Sequence, residues 1–292
     1  MASFTKTGSP QEILGEYAGL QDLGAAAKAG GAPTVRVTST VEDARERGFL
    51  AEPRLVSARA TPAAAREFGK RLAYTHAYTG DLAPGEERPY GRAPSLVAGP
   101  QAPDFALGTS RLVTVPASHP QRTWGEFYAS DRIEAFIPAA KRNGCLSPSD
   151  IAVIEKLCER LRAGEFDAGE PALVTRGAAL THGDLWGGNV LWVSAESART
   201  GAHGAESATG VTAVLIDPLS HAGAAETDLA CLTVFGAPHV SDIYAGYNSV
   251  SPLAPGWEDR IGLHRMYMLM MHCALFGGSY GPQTVSQARV YA

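Results

Sequence analysis

Three oxygen-bearing side chains in the second half of the chain have the types and spacing to do chemistry. Asp184 is followed five positions later by the amide Asn189, inside the stretch THGDLWGGNVLW that runs from Thr181 to Trp192. Gly187 and Gly188 lie between them, and the apolar run Val190 to Val193 follows directly. The next long apolar run, Val211 to Ile216, ends on Asp217. An acid, an amide and a second acid on consecutive strand ends suit transfer of a phosphoryl group from a metal-bound nucleotide. A hydroxyl attacking a terminal phosphate needs a carboxylate to orient it and take its proton. The phosphates bring magnesium, which prefers hard oxygen ligands.

The order His182, Asp184, Leu185, Asn189 is that of the kinase catalytic loop, in which the acid is the base and the amide holds a metal. Asp217 matches the second metal-binding acid, with Ile-Asp-Pro where kinases carry Asp-Phe-Gly. The elements needed to hold such a loop are legible around it. SPQEILGEYAGLQDL reads as a helix: Ser9 caps it, Pro10 fits its first position, Glu12 closes a capping box, and Ile13, Tyr17 and Leu20 form a stripe. Glu16 falls on that stripe, and an acid facing inward needs a partner. Thr34 to Val41 and Phe49 to Ser57 read as a hairpin closed by the charged EDARERG. Thr61-Pro62 and Ser147-Pro148 open two further helices. Ala83 to Pro120, rich in Pro and Gly, reads as loop with short pieces and one wall of a substrate cleft. Ser194 to Gly210 is small and polar and reads as a mobile hairpin extension with His203 solvated. Beyond Asp228 the pattern is helical, with Met266, Met268, Met270 and Met271 as core filler.

HGDLWGGN followed by IDP resembles the fructosamine kinase (ketosamine kinase) family within the aminoglycoside-phosphotransferase-like, protein-kinase-like superfamily. Gly187 stands where the family usually has Ser. Family-like text continues through Thr123 to Ser147, Ala225 to Gly236, Tyr247 to Arg260 and His272 to Tyr280. The resemblance implies an α+β, bilobal protein-kinase-like fold. A shortened N-terminal β-lobe would cover residues 1–57 and a mainly helical lobe residues 58–292. It implies ATP and Mg2+ as cofactors, Asp184 as the base, and Asn189 and Asp217 as metal ligands. Lys6 would hold the nucleotide phosphates and pair with Glu16. Glu52 and Arg54 would sit at the adenine-binding hinge. Trp186 would lie near the substrate sugar, with a packing anchor as the other reading. The acceptor would be a ketosamine, on a small molecule or a glycated amine or protein, phosphorylated at its third hydroxyl, which frees the amine and repairs glycation.

His182 is read as a pin for the loop rather than an acid–base group. Asp228 is read as a helix cap and dipole partner, and His221 as either cleft-lining or surface. Only five residues precede Lys6, too few for the glycine-rich hairpin that covers phosphates in such kinases. That reads as a shortened gene product or a natural variant with weak nucleotide binding. Two rival readings stay open: a kinase of another small molecule, such as an aminoglycoside or choline, and a non-catalytic binding protein.

At 292 residues the chain can bury a sizeable core, and 45% hydrophobic with 19% charged residues is the balance of a globular protein. A formal net charge of −5 offers no general attraction to nucleic acid or anionic membrane. No apolar run nears the roughly 20 residues needed to span a bilayer, and the N-terminus lacks the apolar core of a signal peptide. Cys145, Cys158, Cys231 and Cys273 are scattered without a CxxC pair and read as reduced thiols of a cytoplasmic protein. Oligomeric state is not legible in the sequence.

Overall fold

Ser9 begins the first helix through a reciprocal capping box: its hydroxyl accepts the Glu12 N–H, and the Glu12 carboxylate accepts the Ser9 N–H. The computed structural model describes residues 3–100, 102–107, 110–206, 208 and 210–292. Strand β1 (Ser3–Thr7) precedes that helix, α1 (Pro10–Lys28). Then come β2 (Thr34–Val35), α2 (Val41–Arg47) and β3 (Phe49–Pro53). Strand β3 pairs antiparallel with β1, setting Lys6 opposite Leu50 and Phe4 opposite Glu52.

The expected hairpin between Thr34 and Ser57 does not form. The charged segment between its arms is α2, because Thr40 and Asp43 make a second capping box and Gly48 ends the helix at φ 57°. A cap at one end and a left-handed glycine at the other favour a short helix over a turn. Strand β2 is thereby released to join a different sheet.

Helix α3 (Pro62–His76) starts at the Thr61 cap. The Pro- and Gly-rich segment that follows holds one short hairpin, β4 (Phe105–Leu107) with β5 (Ser110–Leu112). Phe105 packs on α1, where Gly15 leaves room: a Cβ there would come within 2.6 Å of the ring. Helices α4 (Trp124–Phe127), α5 (Ile137–Arg142) and α6 (Pro148–Arg162) follow. Next come β6 (Ala179–Thr181), β7 (Val190–Ser194), α7 (Ala195–Gly201), β8 (Ala202–His203), β9 (Val211–Leu215) and β10 (His221–Gly223). Helices α8 (Ala225–Cys231), α9 (Val240–Val250), α10 (Trp257–Phe276) and α11 (Tyr280–Tyr291) complete the chain.

The four-stranded sheet has the order β7-β9-β2-β8, and β6 pairs with β10. Here too an expectation is corrected. The stretch from Ser194 to Gly210 does join the antiparallel pair β7 and β9, but not as a polar linker: it contains α7 and β8, and Ala198, Ala202 and Ala205 are buried with Val35, Val193 and Val214. Alanine is small enough to look like linker composition, yet it is the best helix former and packs closely. His203 of that stretch is partly buried, with its ring against Gly24. The four α10 methionines are buried, Met266, Met268 and Met270 fully, beside Tyr128, Phe136 and Leu157. Helices α3 and α9 cross so closely that a Cβ on Gly69 would lie 2.0 Å from the Ile243 carbonyl oxygen. No described helix is long and apolar enough to cross a membrane.

Candidate active site

Antiparallel pairing of β7 with β9 sets Val190 opposite Leu215, so the ends carrying Asn189 and Ile216 lie side by side. The Ile216 N–H donates to the Asn189 carbonyl at 3.2 Å. The Asn189 amide nitrogen donates to the Asp184 carbonyl at 2.8 Å and to Asp184 Oδ2 at 2.9 Å. It also reaches the Asp217 carbonyl at 3.4 Å. The other carboxylate oxygen, Asp184 Oδ1, is buried with no protein partner. Burial pushes the Asp184 carboxyl up to about 7; the Asn189 hydrogen bond opposes that rise, and the charges of Asp228 and Asp217 add to it.

Asp217 has a left-handed backbone, φ 52°, a conformation that non-glycine residues hold only when surrounding structure enforces it. Its Oδ1 meets Lys6 Nζ at 3.1 Å, and the same ammonium meets Glu16 Oε2 at 2.7 Å. Burial disfavours the Lys6 ammonium, but Glu16 and Asp217 together outweigh it and hold its pKa above the usual lysine value. Glu16 ends above the ordinary carboxylate value, because its desolvation exceeds the attraction of Lys6.

Lys6, Glu16 and Asp217 thus meet at one point, and Asp184 meets Asn189. Glu52, 5% exposed, has its Oε1 buried without a partner. Its carboxyl is pushed up to about 8 by burial and then by Glu16 and Asp217, with Lys6 opposing. Neither Glu52 nor Arg54 lines the cavity described below; Arg54 is exposed just past the end of β3.

Asp228 corrects its reading as a cap. Residue Ala224 starts α8 without any side-chain cap. The Asp228 carboxylate instead accepts the backbone N–H groups of His182 at 2.6 Å and Gly183 at 3.0 Å, and lies 3.3 Å from His76 Nε2. These donors outweigh the cost of its burial and keep its pKa below the usual carboxylate value. The available signal was its position among Ala225, Leu229 and Ala230, an apolar turn where a charge needs a partner. His182 donates from Nε2 to the Ile216 carbonyl at 2.8 Å, and its Nδ1 accepts the Asp184 N–H at 3.3 Å. Burial lowers the pKa of that imidazole below the usual histidine value. His221 is neither surface nor cleft-lining: it is buried, and its Nε2 accepts from Arg132 Nε at 3.1 Å. Gly183 has φ 80°, and a Cβ there would lie 2.0 Å from the Leu219 carbonyl oxygen, so the loop requires glycine.

Four of these groups, but not Asn189, His182 or Asp228, open onto a cavity of about 890 Å³. Lys6, Glu16, Asp184 and Asp217 line its polar part, and Trp186, Phe235, His272, Phe276 and Tyr280 line an aromatic part. The Trp186 ring stands edge-on to Phe235 at 5.7 Å. It lies over Gly188, where a Cβ would come within 2.2 Å of the indole. The donor set suits magnesium. Asn189 spends its N–H groups on Asp184 and the Asp217 backbone carbonyl, which leaves its own side-chain oxygen, with the Asp217 carboxylate, as the atoms that would hold the ion. Two hard protein oxygens are enough for an ion that otherwise keeps water and phosphate ligands.

The fructosamine kinase family model matches residues 5–290. The chain belongs to that family. A "probable ketoamine kinase" of Lactiplantibacillus plantarum is 33% identical over 61% of this chain and 55% of its own length. The ketosamine-3-kinase of Mus musculus is 32% identical over 55% of this chain and 44% of its own length. The chain therefore spans about half the length of the curated relatives it matches. A crystal structure of a candidate fructosamine-3-kinase from Thermobifida fusca superposes with a TM-score of 0.73 at 30% identity. That match covers 99% of this chain and 85% of the other. The family's fold is thus the kinase-like α+β arrangement expected from the motif.

Proposed function

We propose that this chain is an ATP- and magnesium-dependent kinase that phosphorylates the third hydroxyl of the sugar in ketosamines. The observation that carries the reading is the state of Asp184. One of its oxygens is fixed by Asn189, the other is buried without a protein partner, and the residue lines a cavity large enough for a sugar adduct. A carboxylate fixed in this way, with a pKa lifted to about 7, suits the task of accepting a proton from an alcohol.

In this reading the substrate hydroxyl donates its hydrogen bond to the Asp184 carboxylate and passes its proton there as the oxygen attacks the terminal phosphorus, while the bond from that phosphorus to its bridging oxygen breaks and ADP leaves with the electron pair. Asn189 holds Asp184 in one rotamer during that transfer. Lys6, steadied by Glu16, faces the phosphates and balances the acids around it. Asn189 and Asp217 would hold magnesium, which would supply neutralisation of phosphate charge. His182 and Asp228 keep the loop backbone in place. The aromatic part of the cavity excludes water from the reacting groups, which strengthens each electrostatic contact. Membership of the family supports the ketosamine as acceptor, on a small molecule or on a glycated protein. Phosphorylation at the third hydroxyl would destabilise the adduct and free the amine, a deglycation step. The four free thiols agree with a reducing, cytoplasmic setting.

The test is direct: incubate the protein with ATP, magnesium and ribulosyl-lysine or fructosyl-lysine, and follow transfer by phosphorus NMR. The expected result is a new phosphate monoester on the third carbon of the sugar, absent with Asp184→Asn. Absence of transfer to every ketosamine tried, together with no detectable ATP binding, overturns the reading.

A further inference from the structure

Trp186, Phe235 and Phe276 are among the large apolar side chains most open to solvent, at 36%, 45% and 67% exposure, and all three line the same cavity. They are joined through His272 and Tyr280 into one continuous wall. Phe235 lies 5.1 Å from His272, His272 lies 5.2 Å from Phe276, and Tyr280 lies 5.0 Å from His272, centroid to centroid. His272 donates from Nδ1 to the Met268 carbonyl at 2.8 Å, and burial lowers its pKa below the usual value. Exposed rings gathered on one side of a cleft mark a place where a ligand completes the burial.

The charge of the cavity is one-sided. Among the described lining residues the acids are Glu12, Glu16, Asp184 and Asp217, and the one Lys or Arg is Lys6, which Glu16 and Asp217 already engage. A carboxylate carried close to the substrate nitrogen would find no free cation here and several negative neighbours. A protonated amine meets the opposite situation, because acids and ring faces both favour a cation.

We propose that this aromatic wall selects the amine half of the substrate. It takes ketosamines whose nitrogen bears an apolar or aromatic body without an adjacent carboxylate, and it disfavours adducts of the α-amino group of free amino acids. The proposal rests on the kinase reading above and adds the substrate class. Phe235, Phe276 and Tyr280 are its specificity-determining residues.

The experiment compares the ribulosamines of benzylamine and of glycine, first by calorimetric binding without ATP and then by turnover with ATP and magnesium. The benzylamine adduct is expected to bind about tenfold more tightly, the size that ring stacking and cation–π attraction support. Phe276→Ala, a change at an exposed position, is expected to reduce that preference to about twofold by weakening the benzylamine adduct. Equal affinities, tighter binding of the glycine adduct, or a preference untouched in both Phe235→Ala and Phe276→Ala overturns the proposal. A binding preference that follows the wall while neither adduct is phosphorylated and no ATP binding is detected upholds the wall and overturns the kinase reading, so the two failures are told apart.

Discussion

The carboxylate of Asp228 accepts the backbone N–H of His182 at 2.6 Å, although the two residues lie 46 positions apart. A second bond, from the Gly183 N–H at 3.0 Å, makes this single buried acid the anchor for the backbone just before Asp184. Asp228→Ala leaves both N–H groups and His76 without their acceptor. The expected cost is about 3 kcal/mol, read as a lower urea midpoint. Asp228→Asn can accept at only one oxygen. It is expected to fold and to lose at least about tenfold in kcat, because Asp184 is then less firmly placed. Wild-type turnover in a folded Asp228→Asn protein counts against this role.

Asp184 carries a pH prediction of determined sign. Its carboxyl titrates near 7 in the folded chain and near 4 when unfolded. Between those values the folded state binds more protons, so stability contributed by the protonated acid is lost as pH rises toward and through 7. Asp184→Asn is therefore expected to raise Tm at pH 8 and to change it little at pH 4. The same substitution is expected to lower phosphoryl transfer by about a thousandfold. In the wild type, kcat/KM is expected to rise with pH and level off above about 7. A flat profile from pH 5 to pH 8 contradicts a base role.

Glu52 offers a separate reading of the same cluster. Its carboxyl is lifted to about 8, chiefly by burial and then by Glu16 and Asp217. By the same sign, its protonated form favours the fold and its ionised form opposes it as pH rises from about 4 through 8. Glu52→Gln is expected to raise Tm at pH 8.5 and leave it nearly unchanged at pH 4. Equal Tm values at both pH values would show that Glu52 reaches a partner or solvent in solution.

Lys6 is the cation between Glu16 and Asp217. Lys6→Met removes it from a group of acids that includes buried Glu52. The expected outcome is at least a tenfold rise in KM for ATP, with a further fall in kcat. Initial rates across ATP concentrations check it. An unchanged KM means that the phosphates lie elsewhere.

Gly69→Ala tests the packing beneath the site. A Cβ there would lie 2.0 Å from the Ile243 carbonyl oxygen, and one on Gly246 would lie 1.9 Å from the Arg66 carbonyl oxygen. Helices α3 and α9 must separate to admit either methyl. The expected loss is about 3 kcal/mol in urea unfolding, with the slope unchanged.

Much of the local structure is legible in the sequence. Ser9, Thr61 and Ser147 cap their helices as read, because a cap is settled by residues within one turn. The order of Asp184, Asn189 and Asp217 pointed to phosphoryl transfer because strand-end spacing is also local. The errors arose where local sequence permits two outcomes. EDARERG could be a turn or a helix, and Thr40 with Gly48 decided for the helix. The alanines after Ser194 could be linker or core, and only burial against Val193 and Val214 separates the two.

What the sequence determined by itself is the chemistry available: a loop with an acid and an amide, a second acid one strand later, and caps that start the helices. What only the tertiary structure decided is who partners whom. Lys6 and Asp217 are 211 positions apart and meet at 3.1 Å. Asp228 stands in the first turn of α8 but, instead of capping it, pins the loop of His182 and Gly183. The aromatic wall gathers Trp186 with rings from the α8–α9 connection and from the ends of α10 and α11. The physical reason is common to all three. A buried charge must find a partner, and an exposed ring finds its neighbours, wherever the packed elements bring one within reach, and that proximity is not encoded in neighbouring residues.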